Sequence, residues 1–151
     1  MSDSAVTKAH EGGCLCGRVR YRISARLTNV AHCHCSMCRR ASGAPFVTWV
    51  VIPADSFEIT KGTPAMYPSS EDSERRFCPA CGTQLTFWTS RAADGIDVTV
   101  GSLDDPEACR ANRHVWTSGR LRTLHVDDGL PAFPEGTPKG FDTTRSFDEA
   151  D

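Results

Sequence analysis

No apolar run in these 151 residues approaches the roughly twenty needed to cross a bilayer, so a membrane-spanning helix is excluded from the reading. The stretch Met1 to Gly13 is polar and lacks the apolar segment of a secretory signal. Basic residues are not in excess: 17 Lys and Arg face 19 Asp and Glu. That balance argues against a nucleic-acid partner, because phosphate contacts need concentrated positive charge. Apolar residues reach only 39%, which allows a short core of the kind that small domains often supplement with a metal. Helical periodicity is confined to one turn after Cys35 and a stretch from Asp105 to Ala111. The chain is expected to be cytoplasmic, where thiols stay reduced and a disulfide framework does not form.

What the sequence does have is cysteine. Seven of its eight cysteines fall into three clusters: Cys14 and Cys16; Cys33, Cys35 and Cys38; Cys78 and Cys81. The spacings C-x-C and C-x-x-C are too tight for ordinary disulfide staples but suit two sulfurs on one metal. Four plus three is the count for two zinc ions, one site closed by protein and one with an open fourth position. A redox pair is the rival reading for Cys78 and Cys81, but it leaves the two upstream clusters unused.

Cys78-Pro79-Ala80-Cys81-Gly82 has the form of a zinc knuckle, with Pro79 presetting the turn and Gly82 allowing a left-handed exit. Cys14-Leu15-Cys16-Gly17 supplies the other half. If that segment is extended, its two sulfurs share a face and Leu15 turns to the core. Closing the loop of about 60 residues between the halves costs roughly 4 kcal/mol. Structural zinc returns about 10–16 kcal/mol, so this site is expected to be a condition of folding.

Cys33, Cys35 and Cys38 are the candidate second zinc site and the candidate catalytic group. With 31–35 extended, Cys33 and Cys35 share a face and Cys38 returns to it after one turn, while His32 and His34 point away. A three-thiolate zinc carries a formal charge of −1, which suits holding another thiolate better than making hydroxide. Arg39 and Arg40 either offset that charge or form a solvated pair. A second saturated structural site, completed by Cys109 or a histidine, is the competing arrangement.

Short β-rich runs separated by turns cover the rest. They lie at residues 19–23, 46–52, 57–60, 85–88, 96–100 and 114–116. The expected class is mostly β in one domain. Residues 1–11 read as a loose leader, 12–133 as the zinc domain and 134–151 as an irregular tail.

The three motifs GGCLCGRVRY, CHCSMCRRASGAPF and FCPACGTQL, in that order, resemble the glutathione-dependent formaldehyde-activating enzyme family, which also includes centromere protein V. The likeness runs from about Gly12 to Phe133. It implies a β-tent fold of short antiparallel sheets around zinc, with Cys14, Cys16, Cys78 and Cys81 as structural ligands and Cys33, Cys35 and Cys38 on a catalytic zinc. It also implies a carbon–sulfur lyase whose partners are a small thiol and an aldehyde, joined as S-hydroxymethylglutathione. His34 and Ser36 are the nearest candidates for proton transfer, and 43–46 with Trp49 for an apolar wall. Two other functions stay open: a non-catalytic zinc-stabilised interaction module, and a thiol redox sensor.

Overall fold

Alternating burial builds the sheets. Tyr21 and Ile23 are fully buried while Arg22 between them is exposed, as a strand with one face on the core requires. The structure, a computed structural model, describes residues 7–146. Residues 1–6 and 147–151, the outer parts of the expected leader and tail, lie outside the described residues.

The elements in chain order are β1 (His10–Gly13), β2 (Arg20–Ile23), β3 (Asn29–Cys33), α1 (Ser36–Ser42), β4 (Val47–Pro53), β5 (Phe57–Lys61), β6 (Ala65–Ser70), β7 (Ser73–Phe77), β8 (Gln84–Thr89), β9 (Gly95–Thr99) and β10 (Arg113–Val115). A small sheet runs β1-β2-β5, and a large one runs β10-β3-β4-β9-β8-β7-β6. All pairings are antiparallel except β10 with β3, so the large sheet is mixed. The chain is mostly β in a single domain, as expected. The stretch 105–111 forms only a short 3₁₀ turn, Pro106–Ala108.

The main core packs Tyr21 and Ile23 of the small sheet, with Val19 just before β2, against Val50, Leu85 and Val98 of the large one. A second apolar cluster, Ala31, Cys33, Cys38, Val47, Trp49 and Val115, includes two cysteines of the middle motif. On β2, Arg20 is engaged by Asp104.

Beyond Phe133 the described chain has no helix or strand, yet it is pinned to β10. Arg113 Nε donates to Thr137 Oγ1 at 2.7 Å, and Phe141 meets Phe133 edge-on with centroids 5.4 Å apart. No helix among the described residues is long and apolar enough to cross a membrane.

Candidate metal centres and the cavity beside one of them

Two matched turns form the first cluster. The amide of Gly17 donates to the Cys14 carbonyl at 3.1 Å, and that of Gly82 to the Cys78 carbonyl at 2.8 Å. Both glycines hold a left-handed φ, 77° and 78°, which lets the chain leave each turn. Thr83 ties the halves together: its hydroxyl accepts from the Leu15 amide at 3.1 Å and donates to Cys81 Sγ at 3.2 Å. That hydrogen bond, with the Thr83 amide, pulls the Cys81 thiol down to about 5. One expectation fails here. Leu15 does not face the core but is 89% exposed, because 14–17 is a tight turn rather than an extended segment and its corner points to solvent.

The four sulfurs lie within 4.8 Å of one another. Cys14 Sγ is 3.6 Å from Cys16 Sγ, which is 3.8 Å from Cys78 Sγ. Sulfurs on a tetrahedral zinc at 2.3 Å stand about 3.8 Å apart, whereas a disulfide needs about 2.05 Å. The donor set therefore fits a zinc ion. All eight cysteines are free thiols.

The second cluster forms where β3 hands over to α1. Cys33 ends the strand, Cys35 caps the helix with its sulfur accepting from the Cys38 amide at 3.2 Å, and Cys38 is buried in the first turn. These three sulfurs also lie within 4.8 Å, and no fourth His, Cys, Asp or Glu joins them among the described residues. Hydrogen bonds from Cys33 and Cys38 pull the Cys35 thiol down to about 2, and those that Cys33 makes with Cys35 and Cys38 push Cys33 far up. Three sulfurs this close cannot all ionise without a cation among them, so this donor set also fits a metal. Cys109 is elsewhere, packed against the main core.

The trio opens on a cavity of about 520 Å³. Trp49, Phe87 and Trp116 give it apolar walls, and Arg75, Arg91, Arg113 and Asp97 give it charge. Arg75 Nη2 donates to Cys38 Sγ at 3.6 Å, and its guanidinium lies 4.9 Å over the Phe87 ring. Burial pushes the Asp97 carboxyl up to about 7, against the pull of Arg75 and Arg113. Trp116 holds a left-handed φ of 55°, rare for a large residue, and its amide donates to the Glu135 carbonyl at 2.8 Å. The lining extends to Gly136 and Thr137, past the residue 133 expected to end the domain.

Several candidates from the sequence do not reach this cavity. Arg39 donates to the Gly119 carbonyl at 3.3 Å, and Arg40 is exposed. His34 is fully buried on the other side, stacked on Phe46 and 2.8 Å from His114. Trp49 is in the wall, but Phe46 and Ser36 are not. The residues that replace them, Arg75, Asp97 and Arg113, come from β7, β9 and β10 and belong to no motif. Only Asp97 left a trace in the sequence, as a charge inside the apolar run 96–100.

Three comparisons relate the chain to known proteins. A family model described as glutathione-dependent formaldehyde-activating enzyme matches residues 9–119. An uncharacterized lyase of Schizosaccharomyces pombe is 32% identical over 78 residues, 52% of this chain and 56% of that protein, so the match spans about half of each. A crystal structure of a Rhodobacter sphaeroides protein superposes with a TM-score of 0.53 at 18% identity, covering 82% of this chain and 98% of that one. That last likeness is one of fold.

Proposed function

This chain belongs to the glutathione-dependent formaldehyde-activating enzyme family, and on that premise we propose that it is a zinc-dependent carbon–sulfur lyase. Its substrate would be a small thiol–aldehyde adduct resembling S-hydroxymethylglutathione. The observation that carries the reading is a trio of thiols with no fourth protein ligand among the described residues, opening on a cavity that also holds Asp97 and three arginines. Cys14, Cys16, Cys78 and Cys81 would hold a structural zinc, and Cys33, Cys35 and Cys38 a second one. When bound in the second site, zinc supplies a soft Lewis acid that favours the thiolate form of a substrate thiol.

The chain's own residues have separate tasks. Arg75 supplies positive charge beside Cys38 and offsets the excess of thiolate. Arg91, paired with Asp72 but largely exposed at the cavity, offers its guanidinium to an anionic substrate, while Arg113, held by Thr137, Asn112 and Asn29, adds fixed positive charge to the wall. Trp49, Phe87 and Trp116 keep water from the reacting carbon. In cleavage, the Asp97 carboxylate takes the proton of the adduct hydroxyl. The C–S bond then breaks, its electron pair leaves with sulfur, and the carbonyl forms. In synthesis, protonated Asp97 returns that proton to the oxygen as the C–S bond forms.

The test is to mix zinc-loaded protein with glutathione and formaldehyde and follow the adduct against the spontaneous rate. Acceleration that disappears in Cys35→Ser is the expected result. No acceleration by the wild-type protein overturns the reading.

A further inference from the structure

On the face of β3 turned from the cysteines lies a cluster of ligating groups that the proposed reaction does not use. We propose that His32, His114 and Asp128 form a third, sulfur-free site for a divalent first-row transition-metal ion. One ligating atom from each residue lies within 4.8 Å of the others. The parallel register of β10 and β3 sets His114 beside His32, with ring centroids 4.9 Å apart. Asp128 Oδ2 comes within 2.8 Å of His114 Nε2.

The surroundings orient both rings as metal ligands are usually oriented. Nδ1 of His32 is 2.7 Å from Thr48 Oγ1, and Nδ1 of His114 is 2.8 Å from His34 Nε2. With a proton on each Nδ1, donated to those acceptors, both Nε2 atoms keep a lone pair for an ion. A partner on the non-ligating nitrogen is the general support of a metal-bound histidine. The same carboxylate is itself held: Asp128 Oδ1 accepts from the Leu130 amide at 3.1 Å.

Two imidazoles and a carboxylate are a harder donor set than thiolates. They suit Zn²⁺, Fe²⁺, Co²⁺ or Ni²⁺ and leave coordination positions for water or a small ligand. His32, Thr48 and Asp128 line a separate cavity of about 400 Å³, which gives such ligands access. An ion here would also join the irregular stretch around Asp128 to the edge of the large sheet, where the His114 amide already donates to the Pro131 carbonyl at 2.8 Å.

The experiment is a Co²⁺ titration of the full protein carrying two equivalents of zinc, the number its two cysteine clusters would take, with metal counted by mass spectrometry and the visible spectrum recorded. One further equivalent of cobalt is expected, with weak d–d absorption and no thiolate charge-transfer band. Co²⁺ should raise the thermal midpoint of the wild type. Asp128→Asn and Asp128→Ala should fold normally, keep their zinc, bind the extra ion at least about tenfold more weakly and lose the thermal shift. The proposal is overturned if no extra equivalent binds, if cobalt binds only with thiolate bands, or if the Asp128 variants retain the ion. His114 and Asp128 would then be a hydrogen-bonded pair and nothing more.

Discussion

Arg75 donates to Cys38 Sγ at 3.6 Å while its guanidinium lies 4.9 Å over the Phe87 ring. One buried side chain from β7 thus joins the thiol trio to the apolar wall of the cavity. Arg75→Met keeps most of the apolar stem but removes the charge, leaving the thiolates underbalanced. The variant should still fold, hold its second metal more weakly, and show KM for an anionic thiol raised by about tenfold or more. Arg75→Lys should recover part of the loss. Steady-state kinetics beside metal analysis checks this; unchanged metal retention and KM in Arg75→Met would rule out the role.

Cys35 caps a helix at the edge of the cavity rather than filling the main core. Cys35→Ser should therefore leave the fold intact and remove one of two zinc equivalents. Activity should fall by at least about a hundredfold. Circular dichroism, metal stoichiometry and rate are measured on the same sample. Loss of both metals, or of the fold, would show that the two centres are not independent.

Cys78 is fully buried and packs with the main core. A serine there should remove the support that closes a loop of about 60 residues, worth several kcal/mol in small zinc domains. The expected outcome for Cys78→Ser is aggregation or loss of a cooperative thermal transition, where Cys35→Ser keeps one. A chelator applied to the wild type should strip the three-cysteine centre before the four-cysteine one, read as loss of activity before loss of fold.

Asp97 has a carboxyl raised to about 7, chiefly by burial. In the proposed reaction adduct cleavage uses its carboxylate, so the cleavage rate should climb as pH rises through about 7. Synthesis needs the acid form and should decline over the same range. Asp97→Asn should lower both rates and erase that limb of each pH profile. The raised value also means that the native state holds this proton more tightly than the unfolded chain between pH about 4 and about 7. This group's contribution to stability therefore falls as pH rises across that window. A limb near 7 that survives in Asp97→Asn would exclude this residue as the proton carrier.

Local pattern was enough for part of the fold. The alternation at 19–23 and the β-rich runs at 46–52, 57–60, 85–88, 96–100 and 114–116 all contain strands, because each carries its own apolar period. The strands at 65–70 and 73–77 carry no such period: Met66 and Tyr67 are exposed, and Arg75 is a buried charge, so neither segment alternates in the usual sense. Pairing of β6 with β7 and of β7 with β8 makes them strands, a tertiary cause. Leu15 failed for a similar reason, since a turn closed by Gly17 reversed the side on which an extended segment would have placed it.

The sequence by itself determined the thiol clusters, their glycine exits and the mostly β class, since these depend on residues two to four apart and on short apolar periods. Only the tertiary structure decided what surrounds the second trio. Arg75, Asp97 and Arg113 sit on three strands far apart in the chain, and sheet register brings them to one cavity with the cysteines. The same register set His32 beside His114. Hydrogen bonding between distant strands has no counterpart in local spacing, so those neighbours could be found only once the sheet had formed.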